Sequence, residues 1–107
     1  MSTTLKKVQV LENYLAADNS AIDSVLELAI DKLLHREIHR VEQLKERLSA
    51  QIKKFEQKYG LSASDFYARF SSGEMGDEMD FIEWAATIEM LTNTSKRLTL
   101  LSASSES

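Results

Sequence analysis

"IDKLLHREIHRVEQLKERLSAQIKKFEQKY", residues 30–59, places an apolar side chain every three or four positions, with no proline or glycine to interrupt it. Ile30, Leu34, Ile38, Val41, Leu44, Leu48, Ile52, Phe55 and Tyr59 follow one another at the spacing that lines up one face of an α-helix. The pattern repeats better at eleven residues than at seven, which predicts a nearly straight helix rather than a leucine zipper. That helix is expected over 21–59, opening near Ser20 or Asp23. Gly60 ends it, with a left-handed backbone and Leu61 as the accompanying apolar contact. Nearly forty residues at 1.5 Å each span roughly 55–60 Å. Such a rod outruns a small core, so the rest of the chain or a second copy must cover the stripe from Leu34 to Phe55, and a homodimer is expected.

Outward from this rod, the chain reads as all-α throughout. Leu5, Val8, Leu11 and Leu15 share a face and predict a helix over 4–17, closed by "ADNS". Ser62 to Asp65 has capping-box spacing, and Phe66 with Phe70 forms one apolar edge, so a two-turn helix is expected over 63–71. Asp77 is placed to cap a last helix over 78–101, in which Phe81, Trp84, Ala85, Ile88, Leu91 and Leu98 form a broad apolar face. The predicted architecture is one domain, residues 1–101, with shorter helices packed on one very long central helix as a helical hairpin or bundle. Residues 102–107 are expected to fray as a polar tail.

The 107 residues include no cysteine and no proline, which removes disulfides and thiolate chemistry. No apolar run approaches the ~18 residues of a membrane span, and "MSTTLKKVQV" lacks a signal-peptide core, so a cytoplasmic location is expected. The net charge of −4 is unevenly spread. Residues 32–58 carry eight basic side chains against four acidic, and residues 65–89 carry one against seven. A last helix folded back antiparallel on the long one would bring these surfaces together.

"SSGEMGDEMDFIEW", residues 71–84, holds Glu74, Asp77, Glu78, Asp80 and Glu83. A calcium-binding EF-hand loop is excluded: with either Gly73 or Gly76 at its sixth position, the ligand positions before it fall on residues that are neither acids nor amides. "GEMG" matches a bare phosphate-clamping Gly-x-x-Gly, but Glu74 and Asp77 would face the phosphates. Acids at a helix start favour the positive end of its dipole, and glycines permit the turn before it.

His35 and His39 have the four-residue spacing of a shared helical metal site, with Asp31 and Glu42 as co-ligands. Both lie far round the helix from the apolar stripe, and a solvated face is the plainer reading. No nucleophile elbow exists, and the paired carboxylates Asp77 with Asp80 and Asp80 with Glu83 are explained by helix capping, so no enzyme and no cofactor are expected. A DNA-recognition helix beginning near Asp77 would press acids against phosphates, which argues against direct nucleic-acid binding. The basic set Lys32, Arg36, Arg40, Lys53, Lys54 and Lys58 reads as a solvated face.

Tyr59-Gly60-Leu61-Ser62, Phe66-Tyr67 with Phe70, Gly73-Glu74 with Gly76-Asp77, and Asp80-Phe81 with Glu83-Trp84 together form a longer pattern across residues 26–101. In these features the chain resembles small all-helical prokaryotic proteins of cyanobacteria and archaea, the antitoxin-like members paired with TumE-type toxins among them. That resemblance implies neutralisation of a cognate, ribonuclease-type toxin by direct binding, and no catalytic residue. The expected partner-facing set is then Tyr67, Glu74, Asp77, Glu78, Asp80, Glu83 and Trp84, the acids supplying charge complementarity and the aromatics apolar anchors. The alternatives are a structural or oligomerisation adaptor without a toxin partner and, with less support, a nucleic-acid-binding regulator.

Overall fold

A computed structural model of the chain describes residues 2–103. Those residues form four helices and no strand: α1 (Thr3–Ala17), α2 (Ser24–Tyr59), α3 (Ala63–Ser71) and α4 (Met79–Ala103), with a single 3-10 turn at Asn19–Ala21. The all-α class and the long helix stand as the periodicity required, and the short third helix has the bounds expected of it. No helix is long and apolar enough to cross a membrane among the described residues.

Local chemistry sets each boundary. Ser2 accepts the Leu5 N–H at 3.1 Å and starts α1 one residue earlier than the apolar pattern. Asp18 turns the chain by accepting the N–H of Ser20 at 3.0 Å and its hydroxyl at 2.6 Å. Asp23 then accepts the Leu26 N–H at 2.8 Å, so α2 opens at Ser24 rather than at 21. At its far end Gly60 takes φ +62°, and the Glu56 carbonyl accepts N–H groups from both Gly60 and Leu61. The Glu56 carboxylate reaches on to the Ala63 N–H at 2.7 Å, and Ser62 caps the Asp65 N–H at 3.2 Å, which opens α3 three residues beyond the end of α2. The cap expected from Asp77 does not form among the described residues: within the first turn of α4, which begins at Met79, the Phe81 and Ile82 N–H groups donate to the Glu78 carbonyl. The helix runs on through Ser102 and Ala103 where a tail was expected, and the rest of that tail lies outside the described residues.

The chain divides into two compact units, Met1–His35 and Arg36–Ser107. The boundary falls inside α2. Within the second unit, the last turn of α4 ends beside Glu37 and Val41.

In the second unit α4 runs antiparallel to α2. Gln51 pairs with Glu83 and Lys58 with Asp80 at one end, while Arg97, Leu100 and Leu101 share a groove with Glu37 and Val41 at the other. Ile52, Phe66, Trp84 and Ala85 form the core, with Phe55, Tyr59, Phe70, Phe81, Ile88 and Leu91 packed against it. Trp84 and Phe66 are both 0% exposed, their rings stacked 3.8 Å apart and 4° from parallel. Val41, Leu48 and Ile52 are buried within the single chain, so those stripe residues need no second copy to cover them. In the first unit no described residue is buried; Leu15, Leu26, Ile30 and Leu34 are half-covered.

Candidate protein-binding surface

The acidic segment is held in place from both ends. α3 closes through Ser72, Gly73 and Glu74, whose N–H groups donate to the Ala68, Phe70 and Arg69 carbonyls. Gly73 at φ +85° and Gly76 at φ +74° take backbone conformations that a side chain would strain, and between them Met75 turns in against the core. The loop is therefore anchored by one apolar side chain and presents its carboxylates outward. Glu74, Asp77 and Glu78 are exposed and make no side-chain hydrogen bond or ion pair among the described residues.

The other expected partner-facing residues are placed differently. Asp80 is half-buried and accepts from Lys58 Nζ at 2.6 Å and from the Tyr59 hydroxyl. These two donors hold its carboxyl below the usual carboxylate range, while the same carboxylate raises Lys58 and Tyr59 above theirs. This three-residue clasp ties the last turn of α2 to the first turn of α4. Glu83 accepts from the Gln51 side chain at 3.1 Å yet stays exposed. Tyr67 donates its hydroxyl to Glu89 at 2.8 Å, which raises the phenol's pKa, and lines an open groove with Ile88, Glu89, Thr92 and Asn93.

Trp84 cannot serve as an exposed anchor: its indole is stacked between rings in the core, and Nε1–H has no hydrogen-bond partner among the described residues. The apolar pattern that placed it on the buried face of the last helix is the one that prevails.

The core periodicity of α4 accounts only for that buried face, and a second apolar line runs along the same helix. Met79, Ile82, Ala86 and Met90, spaced three, four and four apart, are all exposed; Met79 is 76% exposed and Met90 50%. The exposed Glu83 and Glu89 flank this line, and Glu74, Asp77 and Glu78 sit at its N-terminal end. The signal was present in the sequence as a helix apolar on two sides, one more than a single core needs.

Of the basic set, Lys58 joins this region through Asp80, and Lys32, Arg36, Arg40, Lys53 and Lys54 are exposed. Arg36 and Arg40 lie 3.8 and 3.4 Å from Glu37, and Arg40, Arg47 and Arg97 line a small groove with it. His35 and His39 are exposed, and no group of three or more metal-ligating side chains forms among the described residues. No protein-family model, no characterised protein and no solved structure matches the chain.

Proposed function

We propose that this chain is a non-enzymatic, protein-binding protein of antitoxin-like type, which neutralises a basic, ribonuclease-type toxin in the cytoplasm by covering it directly. The observation that carries this reading is the exposed Met79–Ile82–Ala86–Met90 line with carboxylates at its end and along both sides. Apolar contact supplies most of the affinity of a protein interface, and flexible methionines shape themselves to an irregular partner. A rim of like charge steers a basic partner and rejects acidic ones. Glu74, Asp77 and Glu78 have no side-chain partner of their own among the described residues, so engaging them breaks nothing inside the fold. Within the set expected from sequence, Asp80 and Trp84 become supports of this surface, and Tyr67 and Glu83 its flank.

Expression of the tagged chain in its native host, with recovery of what co-elutes at moderate salt, tests the reading. A small basic protein that is toxic alone and harmless beside this chain is the expected outcome. Met79→Lys with Ile82→Lys should abolish capture and rescue while leaving the buried Trp84 environment unchanged. Asp77→Asn with Glu78→Gln should weaken capture and flatten its salt dependence. Full capture and rescue by both variants would overturn the proposal. A second reading, an oligomer-forming structural module, is favoured by the exposed apolar residues before His35.

A further inference from the structure

Arginines from α2 and α4 converge on one groove of the second unit. Arg40, Leu44 and Arg47 fall at i, i+4 and i+7 along one edge of α2, so two arginines bracket a leucine. Arg97 of α4 joins them in lining the groove, together with Val41 and Glu37, and its volume is about 150 Å³. That is room for about five waters at ~30 Å³ each, or for one tetrahedral oxyanion with part of its hydration shell.

The fold leaves the charges in this groove unbalanced. Glu37 is the lone acid lining it, 3.4 Å from Arg40 and 3.8 Å from Arg36. Arg47 and Arg97 make no side-chain hydrogen bond or ion pair among the described residues. Three guanidinium groups less one carboxylate leave two positive charges in excess. Like charges brought together repel, and an anion among them turns that repulsion into attraction. Arginine suits a phosphate group better than lysine does, because its planar fork offers paired N–H donors to two oxygens at once. A phosphate monoester carries about −1.5 to −2 at neutral pH, which matches the excess.

The patch is also bounded. One turn beyond Arg47, Gln51 is bonded to Glu83, and further on Lys58 is bonded to Asp80, so carboxylates of α4 interrupt the basic edge of α2. A bounded patch fits a single oxyanion, whereas a nucleic-acid strand needs cations spaced along its backbone.

We propose that Arg40, Arg47 and Arg97 form a binding site for a phosphate-class oxyanion, free or as a terminal phosphomonoester. Arg97 lies about 27 Å along α4 from Met79 at 1.5 Å per residue, so the site is separate from the acidic, methionine-lined surface and stands or falls apart from the toxin-binding reading.

Titration of the full chain with inorganic phosphate and with O-phosphoethanolamine, at an ionic strength held constant with chloride and followed by nuclear magnetic resonance, tests the proposal. Saturable shifts of the Arg40, Arg47 and Arg97 side-chain N–H signals are expected, with the Trp84 indole signal fixed as proof that the core is undisturbed. Whichever probe binds more tightly identifies the source, free phosphate or ester. Arg47→Gln with Arg97→Gln should weaken binding about tenfold, and Glu37→Gln, which removes the competing carboxylate, should tighten it about two- to fivefold. Arg97→Lys keeps the charge but loses the fork, and should weaken binding by about twofold or more. Shifts that stay linear in phosphate, equal shifts with chloride, unchanged affinity in the double arginine variant, or weaker binding by Glu37→Gln would each overturn the proposal. So would a short oligouridylate that binds more tightly than either probe and loses affinity with Lys53→Gln and Lys54→Gln, because the groove would then be one stretch of an RNA track.

Discussion

Leu48 and Leu11 occupy equivalent places in two helical stripes, yet Leu48 is 5% exposed and Leu11 40%. The difference is what lies over them. After Arg36, α3 and α4 return along α2 and close a core on Trp84. Before it, six residues holding one 3-10 turn link α1 to α2, and no described residue is buried. Spacing dictates which residues share a face, while burial requires a second element long enough to reach them.

The contrast can be broken most severely at Trp84. Trp84→Ala removes the ring on which Phe55, Tyr59 and Phe66 stack and should cost about 3–5 kcal/mol, read as a shift in denaturant midpoint by far-ultraviolet circular dichroism. Trp84→Phe should cost much less, because it also removes an unpaired buried N–H whose desolvation costs about 1–3 kcal/mol.

The direct comparison comes next. Leu48→Ala should destabilise the second unit by about 2–4 kcal/mol, whereas Leu11→Ala should move the same Trp84-reported transition by less than about 0.5 kcal/mol. Equal shifts would mean that the first unit folds as part of the second.

A smaller effect is expected at the end of α2. Gly60→Ala forces a side chain into φ +62°, and although nothing lies within 4 Å of the added methyl, the backbone alone should cost about 1–2 kcal/mol. The measurement is again the denaturant midpoint, and no change would mean that the turn relaxes.

The mildest test is pH. Asp80 is lowered in the folded chain, so its contribution is present above the ordinary carboxylate range and is lost as pH falls through the depressed value. Lys58 is raised, so its contribution is present below the ordinary lysine range and is lost as pH rises through the elevated one. Stability against pH should therefore show an acid limb that Asp80→Asn removes and an alkaline limb that the same variant flattens, without touching any transition confined to α1.

The helices were legible because an uninterrupted 3.6-residue period admits little else, and Gly60 and Ser62 announced their corner. The placement of the candidate surface was legible only in part. Glu74, Asp77 and Glu78 are exposed, whereas Asp80, an acid of the same segment, differs in having Lys58 and Tyr59 brought up to it by the fold. Trp84 satisfied two patterns at once, a core face and an aromatic anchor, and only the arrival of Phe66 decides between them. Met79 and Ile82 escaped notice because a single-core reading leaves no role for a second apolar line.

Glu56 closes the end of α2 with its carbonyl and opens α3 with its carboxylate, so it fixes the phase of one helix against the other. Phase constrains length more strictly than composition. One residue inserted between Gly60 and Ser62 would swing Phe66 about 100° round its helix axis and turn it off Trp84, although every side chain of the core would still be present. Insertions and deletions should therefore be excluded from this corner across descendants of the chain. No residue of the Asp18–Asp23 link is buried, and drift in length should collect there.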